Sequence, residues 1–309
     1  MNLFKTKASL LGVVAAVALA VLALPAAAIT NGVPDDEEHP YVGQLLFYLP
    51  DEVDDRFSDP GVWANCSGTL VSPTVVVTAG HCVYGVGLNG VTPDGGNGGN
   101  EVWVNFNEAP DYSQIPPSSD YIPDHNAQRY EDRLVWLASQ PDWHRGTAQA
   151  HPDYDPGLFL LHDLGVVVLD EPVDPGDYGT LPALGELDGY LKNGKNRSLF
   201  TPVGYGLNKV LPTGVEGGDI RYKATVKLVN LKGTYGVPEG TSAVFSNNKG
   251  APHTGGTCFG DSGGPFFVKG TSQVVAVNSF GISPNCTGTD GAYRIDQEDD
   301  LDWLATFLY

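Results

Sequence analysis

Short runs of β-branched and aromatic residues, closed off by glycine or proline, recur along this chain. They include Tyr41–Tyr48, Gly68–Thr78, Val102–Phe106, Leu164–Leu169, Ile220–Val229, Pro265–Val268 and Gln273–Ser279. Runs of this length and composition read as strands between turns. With 39 Gly and 23 Pro as breakers, no long helical period develops before the end of the chain. There, Asp296–Leu308 places Leu301, Leu304, Phe307 and Leu308 at roughly helical spacing behind several acids, which predicts one C-terminal helix. The expected class is all-β with that helix appended.

Residues 1–28 read as a secretory signal. Lys5 and Lys7 precede an apolar run from Leu10 to Leu24, Pro25 breaks it, and Ala26-Ala27-Ala28 ends it in small residues. The apolar run is nearly long enough to span a membrane, but its flanks fit cleavage. Removing 28 of the 309 residues leaves 281, enough for two domains or one large β-fold. The signal holds two of the 17 basic residues and none of the 37 acids, so the net charge falls from −20 to −22. So acidic a surface repels nucleic acid and anionic membranes. The expected product is secreted, extracellular or periplasmic. Cys66, Cys82, Cys258 and Cys286 allow three disulfide pairings in such a compartment, and the absence of a Cys-x-x-Cys pair argues against zinc.

Three separated pieces carry the chemistry. Gly260-Asp261-Ser262-Gly263-Gly264-Pro265 offers a hydroxyl between glycines, Thr78-Ala79-Gly80-His81-Cys82 an imidazole, and Asp163 a carboxylate just ahead of an apolar strand. A serine hydroxyl needs a base to take its proton as it attacks. The unperturbed pKa of histidine suits it to that work. Taken singly, each residue is more often a turn or structural residue; their conjunction in one chain points to nucleophilic catalysis. The remaining histidines, His39, His125, His144, His151, His162 and His253, sit in no comparable motif, and strand alternation selects Asp163 over its neighbour His162 to face the cleft.

In these motifs, and in their order, the chain resembles the chymotrypsin/trypsin family of serine endopeptidases. The resemblance implies two six-stranded antiparallel Greek-key β-barrels, the first over about residues 29–175 and the second over about 176–295, with the C-terminal helix over about 296–308 and a linker near Glu171–Pro182. It implies a monomer acting on polypeptides, with His81, Asp163 and Ser262 as the catalytic residues and the N–H groups of Gly260 and Ser262 as the oxyanion donors. It selects the pairings Cys66–Cys82 and Cys258–Cys286. It makes Ile29-Thr30-Asn31-Gly32 a mature start whose α-amino group pairs with Asp261. Cleavage at Ala28|Ile29 would itself free that group, which predicts activity on export without a zymogen step.

By the same resemblance Gly256, Thr257, Ser279, Phe280, Gly281 and Gly291 form the pocket for the residue before the scissile bond. With Gly256 at the base and glycines in the walls, an open, uncharged slot is expected, favouring a large apolar or aromatic side chain. A shift of one residue would bring Asp290 into the pocket and restore basic preference. No cofactor is expected; a structural calcium in the Asp94–Glu101 stretch is the one metal considered, and few carboxylates are there to hold it. Tyr84–Asn100 and Glu108–Gly157 read as insertions, the second with a helical piece over Asn126–Ser139. The competing readings are a non-catalytic secreted binding protein on the same fold and an ester hydrolase, although the Gly-x-Ser-x-Gly elbow of the α/β-hydrolases is not met.

Overall fold

The computed structural model describes residues 29–308, apart from 53–59, 117–125, 159, 192–198, 212–213, 234–236, 249 and 282; the signal assigned to residues 1–28 lies outside the described residues. Two antiparallel barrels, each closed by six strands, make up the fold. Around the first run Val42–Leu49, Val62–Ser72, Val75–Thr78, Gly165–Leu169, His144–Ala150 and Val102–Asn105, the last pairing back with the first. Around the second run Leu199–Gly204, Val226–Asn230, Ser242–Asn247, Gly288–Arg294, Val274–Gly281 and Pro265–Val268, closed by pairing between the segments around Phe200 and Val268. Among the described residues, closure leaves no long unpaired edge within either six-stranded cycle.

Sequence accounts for each barrel's interior. Val75–Thr78 and Gly165–Leu169 are almost continuous valine, and both are buried along nearly their whole length. Uninterrupted β-branched runs suit strands covered on both faces. The second barrel is filled by aromatics. Phe245 stacks on Phe266 with centroids 4.2 Å apart, and Phe200 meets Phe245 edge-on at 5.2 Å.

The ends of the chain cross between barrels. Residues 29–35, expected in the first barrel, lie on the second: Val33–Pro34 pairs with Tyr222–Lys223, and Thr30 bridges Gly256. A two-residue strand ending in proline can join only an edge, and Tyr222–Lys223 offers one. Buried Asp35 then pairs with buried Arg221 at 2.9 Å, while the same guanidinium donates to the carbonyls of Val42 and Phe106. Removing one partner from a buried pair of this kind costs about 3–5 kcal/mol. Arg221 therefore clamps the two barrels together. In the other direction the C-terminal helix, Glu298–Leu308, leaves the second barrel and buries Leu304 in the core shared with the first. It starts two residues later than expected, because Asp296 grips Arg294 through two hydrogen bonds of 2.8 Å and caps the Leu187 N–H instead.

Of the insertions, the helix Asn126–Ser139 forms where expected. Its Trp136 and Leu137 pack with Trp143, Trp103 and Leu46 in a separate apolar cluster against the first barrel. Both disulfides are present, Cys66–Cys82 and Cys258–Cys286, closing loops of 16 and 28 residues. Loops of that length stabilise by about 3 kcal/mol each in the chain-entropy account. Among the described residues no helix is long and apolar enough to cross a membrane.

Candidate active site

The strand Val75–Thr78 runs straight into the short helix Gly80–Val83, which carries His81. Asp163 lies two residues before the neighbouring strand Gly165–Leu169, and Thr78 pairs with Gly165. Strand pairing alone therefore brings the imidazole and the carboxylate to the same end of the barrel. Asp163 is fully buried and accepts from the His81 backbone N–H at 2.9 Å and from His81 Nδ1 at 2.9 Å. A third donor was not foreseen: the Ser279 hydroxyl, from the second barrel, binds Asp163 Oδ2 at 2.5 Å. With its lone pairs occupied by three groups, the carboxylate is held in one orientation. Burial alone would lower the His81 pKa, but the charge and hydrogen bond of Asp163 outweigh it and raise it above the ordinary value.

The loop from Cys258 to Gly264 is a tight double turn, with Asp261 N–H on the Cys258 carbonyl and Gly264 N–H on the Asp261 carbonyl. Gly260 at its crest has φ +94°, where a side chain would be strained. Backbone bonds lock the loop to both barrels: Ser262 C=O accepts from Ser67 N–H at 2.8 Å, and Gly263 N–H donates to Asn278 C=O at 2.8 Å. Gly263 is so close that a Cβ on it would lie 2.0 Å from Thr78 Oγ1 and 2.8 Å from Ala79 N. Ser262 is thus bracketed between the Thr78–Ala79 approach to His81 and the Asn278–Ser279 approach to Asp163. Among the described residues no hydrogen bond joins Ser262 to His81; in resting sites such bonds are often long and shorten on binding. Among the same residues the N–H groups of Gly260 and Ser262 donate to no internal acceptor. Two adjacent unspent donors beside a hydroxyl form a ready cradle for an oxyanion.

Asp261 points away from this cradle. Its carboxylate is fully buried and accepts from Gly206 N–H and Cys258 N–H, each at 2.8 Å, and burial pushes its pKa up to about 8. Ile29 is likewise fully buried, its carbonyl accepting from Asn208 Nδ2 at 2.7 Å. In the uncleaved chain the Ile29 nitrogen belongs to a peptide bond and carries no charge, and no Ile29–Asp261 ion pair occurs among the described residues.

A cavity of about 460 Å³ opens beside Ser262, lined by Thr257, Ser279, Phe280 and Gly281 among others. Two of the expected pocket glycines do not line it. Strand register decides this: Phe280 pairs with Gly291 and Gly281 with Asp290. Gly291 lies under the Phe280 ring, where a Cβ would approach to 2.2 Å, and Gly256 backs onto Asn247 and Asp290. The slot is therefore not uncharged, because Asp290 lines it. Its buried carboxylate accepts from Thr257 N–H at 2.7 Å and Asn247 Nδ2 at 2.8 Å; burial raises its pKa to about 6 against the opposing pull of those bonds.

Behind Asp163 a second polar cluster forms. His162 has φ +49° and precedes the strand, so a left-handed backbone turn, not strand alternation, sends its ring away from Asp163. That ring stacks on His151 with centroids 5.0 Å apart, near buried Asp300. His151, His162 and Asp300 bring one ligand-type atom each within 4.8 Å of the others. His151 Nδ1 accepts the Asp153 N–H, which leaves the proton on Nε2 and makes that nitrogen a donor rather than a ligand. In the Asp94–Glu101 stretch, Glu101 is buried and accepts from Gly90 N–H and the Tyr130 hydroxyl, bracing the loop.

Comparisons with known proteins agree with this architecture. The sequence profile of the trypsin family matches residues 131–303, more than half the chain. A phenoloxidase-activating enzyme of Bombyx mori is 27% identical over 237 residues, covering 72% of this chain and 49% of that protein. The chain thus spans about half the length of that relative. Brachyurin of Leptuca pugilator is 24% identical over 247 residues, covering 78% of this chain and 86% of that one. Among solved structures, HL collagenase aligns with a TM-score of 0.60 at 18% identity, over 90% of this chain and 97% of its own. A mutant of human heparin binding protein aligns with a TM-score of 0.53 at 16% identity, over 91% and 96%. At such identities the structural likeness speaks for the fold alone.

Proposed function

The chain belongs to the trypsin family, and from that membership we propose that it is a secreted serine endopeptidase working through an acyl-enzyme. The observation that carries this reading is the buried Asp163, which holds His81 through Nδ1 and the backbone N–H while Ser279 fixes its other side. In this reading Ser262 Oγ attacks the scissile carbonyl as His81 Nε2 takes its proton. The N–H groups of Gly260 and Ser262 receive the developing oxyanion, each contributing about 3 kcal/mol in the transition state. His81 returns the proton to the leaving amine, and water repeats the sequence to release the acid. Two disulfides suit an oxidising, extracytoplasmic setting.

For the residue before the scissile bond, the apolar walls of Phe280 and the Cys258–Cys286 bridge favour a long, largely apolar stem. Asp290 at the pocket lining adds a counter-ion, so we propose that large apolar residues are accepted and that Lys or Arg are accepted once Asp290 is ionised. The test is hydrolysis of casein and of peptides carrying Phe, Leu, Ala or Arg at that position. Turnover of casein that disappears in Ser262→Ala is expected. A wild-type protein that folds but cleaves none of these substrates would instead support a binding protein on this fold.

A further inference from the structure

A second cavity, of about 410 Å³, opens on the far side of Phe259 from the first. Phe259 lines both and is 59% exposed, so it stands as a partition between them. Ser262 lies on one side of this partition and Gly260 borders the other. A strand-like substrate rises about 3.3 Å per residue. With its acyl side in the first cavity, its leaving side therefore enters the second within a residue or two of the scissile bond.

The insertion after Glu108 builds one wall of this second cavity. Tyr112 reaches in from the insertion, its hydroxyl donating to Gln44 Oε1, and Gln44 Nε2 donates to the Gly218 carbonyl at 3.2 Å. Gln44 therefore ties the insertion to the turn that carries Asp219, and the Tyr112 ring is backed by Trp143 at 5.9 Å. The lining offers one carboxylate, Asp219, one phenol ring, Tyr112, and the amides of Gln44 and Asn65, with no cation among the described lining residues. Two cationic side chains on neighbouring segments are already engaged. Lys209 pairs with Glu216 at 2.7 Å, and Arg133 lies over the Trp63 ring and donates to the Pro116 carbonyl. An acidic substrate residue entering here meets Asp219 on a chain of net charge −20, whereas a basic one meets a carboxylate and an aromatic face.

We propose that the cavity formed by Tyr112, Asp219 and Asn65 beside Gly260 binds the first or second residue after the scissile bond and selects a basic side chain there. This rests on the endopeptidase reading of Ser262. Exposed carboxylate and cation–π contacts are each worth about 0.2–1 kcal/mol, or up to about fivefold in rate.

The test uses the full-length protein and quenched-fluorescence peptides that share one acyl side and carry Arg, Ala or Glu at the first or second position after the cleaved bond. The readout is the ratio of kcat/KM for Arg over Glu within each variant, so any general loss of activity cancels. A ratio of about two- to fivefold at one of the two positions is expected. It should shrink in 1 M salt and in Asp219→Asn, and reverse toward Glu in Asp219→Lys. A ratio near one, or a ratio that both Asp219 variants leave intact, overturns the proposal. Absence of hydrolysis of every peptide would instead remove the endopeptidase reading, and the subsite with it.

Discussion

The proposed catalytic centre and the two cavities flanking it are built on different physical terms. Asp163 is enclosed by three hydrogen bonds from both barrels, and the Ser262 loop is locked by backbone bonds to Ser67 and Asn278. Each group there is held by several others, so small changes elsewhere leave it in place. The cavities depend on fewer contacts. One is charged because a single register places Asp290 opposite Gly281; the other gains its wall because Tyr112 is tied to Gln44. A single substitution therefore perturbs the cavities more readily than the arrangement around Asp163.

The largest effects should come from breaking the centre. His81→Ala is expected to lower kcat on any peptide by about 10²–10⁴-fold, the usual worth of a positioned general base. His81 is only a quarter exposed and its ring hydrogen-bonds the buried Asp163 carboxylate, so thermal unfolding should also shift downward. Ser279→Ala leaves Asp163 with one donor fewer, and a lost hydrogen bond to a charged group is worth about 1.5–3 kcal/mol. A fall in kcat of about tenfold or more with little change in KM is the expected result; an unchanged kcat would show that the third donor is dispensable.

Next in size are changes to the acyl-side cavity. Asp290→Asn should lower the kcat/KM ratio of Arg over Phe substrates by about tenfold or more. In the parent protein the same ratio should rise with pH through about 6, since the carboxylate becomes a counter-ion only when ionised. Taking a ratio removes the titration of His81, which acts on both substrates alike. A ratio that stays flat from pH 5 to 8 would place Asp290 outside the binding event.

A separate effect concerns stability. Burial, followed by the charge of Asp299, raises the Asp300 pKa from 3.8 to about 8. A carboxyl raised in this way contributes stability that is full below about pH 4 and is lost progressively as pH climbs toward 8. Asp300→Asn removes that titration, so the variant's Tm relative to the parent should rise between pH 4 and 8. A difference independent of pH would mean that Asp300 is ionised at both ends of the range.

The motifs of the proposed centre are contiguous in the sequence, whereas the cavities could be read there only in part: Thr257, Ser279, Phe280 and Gly281 line the first as expected, and Gly256 and Gly291 do not. Ser262 and His81 sit in contiguous motifs, and Asp163 stands before an apolar strand, so local sequence carries them. The bond from Ser279 to Asp163 spans 116 positions and no motif announces it. Pocket composition turned on whether Asp290 or Gly291 faces inward, and a one-residue slip exchanges the two faces of a strand. The two barrels followed from the resemblance, but residues 29–35 joined the second because pairing with the Tyr222 edge and the Asp35–Arg221 ion pair are long-range contacts. Tyr112 could be seen only as part of an insertion; its place beside Gly260 came from tertiary packing.

The most direct test of the centre is covalent. An alkyl fluorophosphonate should modify the folded protein once, and peptide mapping by mass spectrometry should find the phosphonyl group on Ser262. That adduct should be absent from Ser262→Ala and form about 10²-fold or more slowly in His81→Ala. An adduct on another serine, or labelling of Ser262 at the same rate with and without His81, would contradict the account.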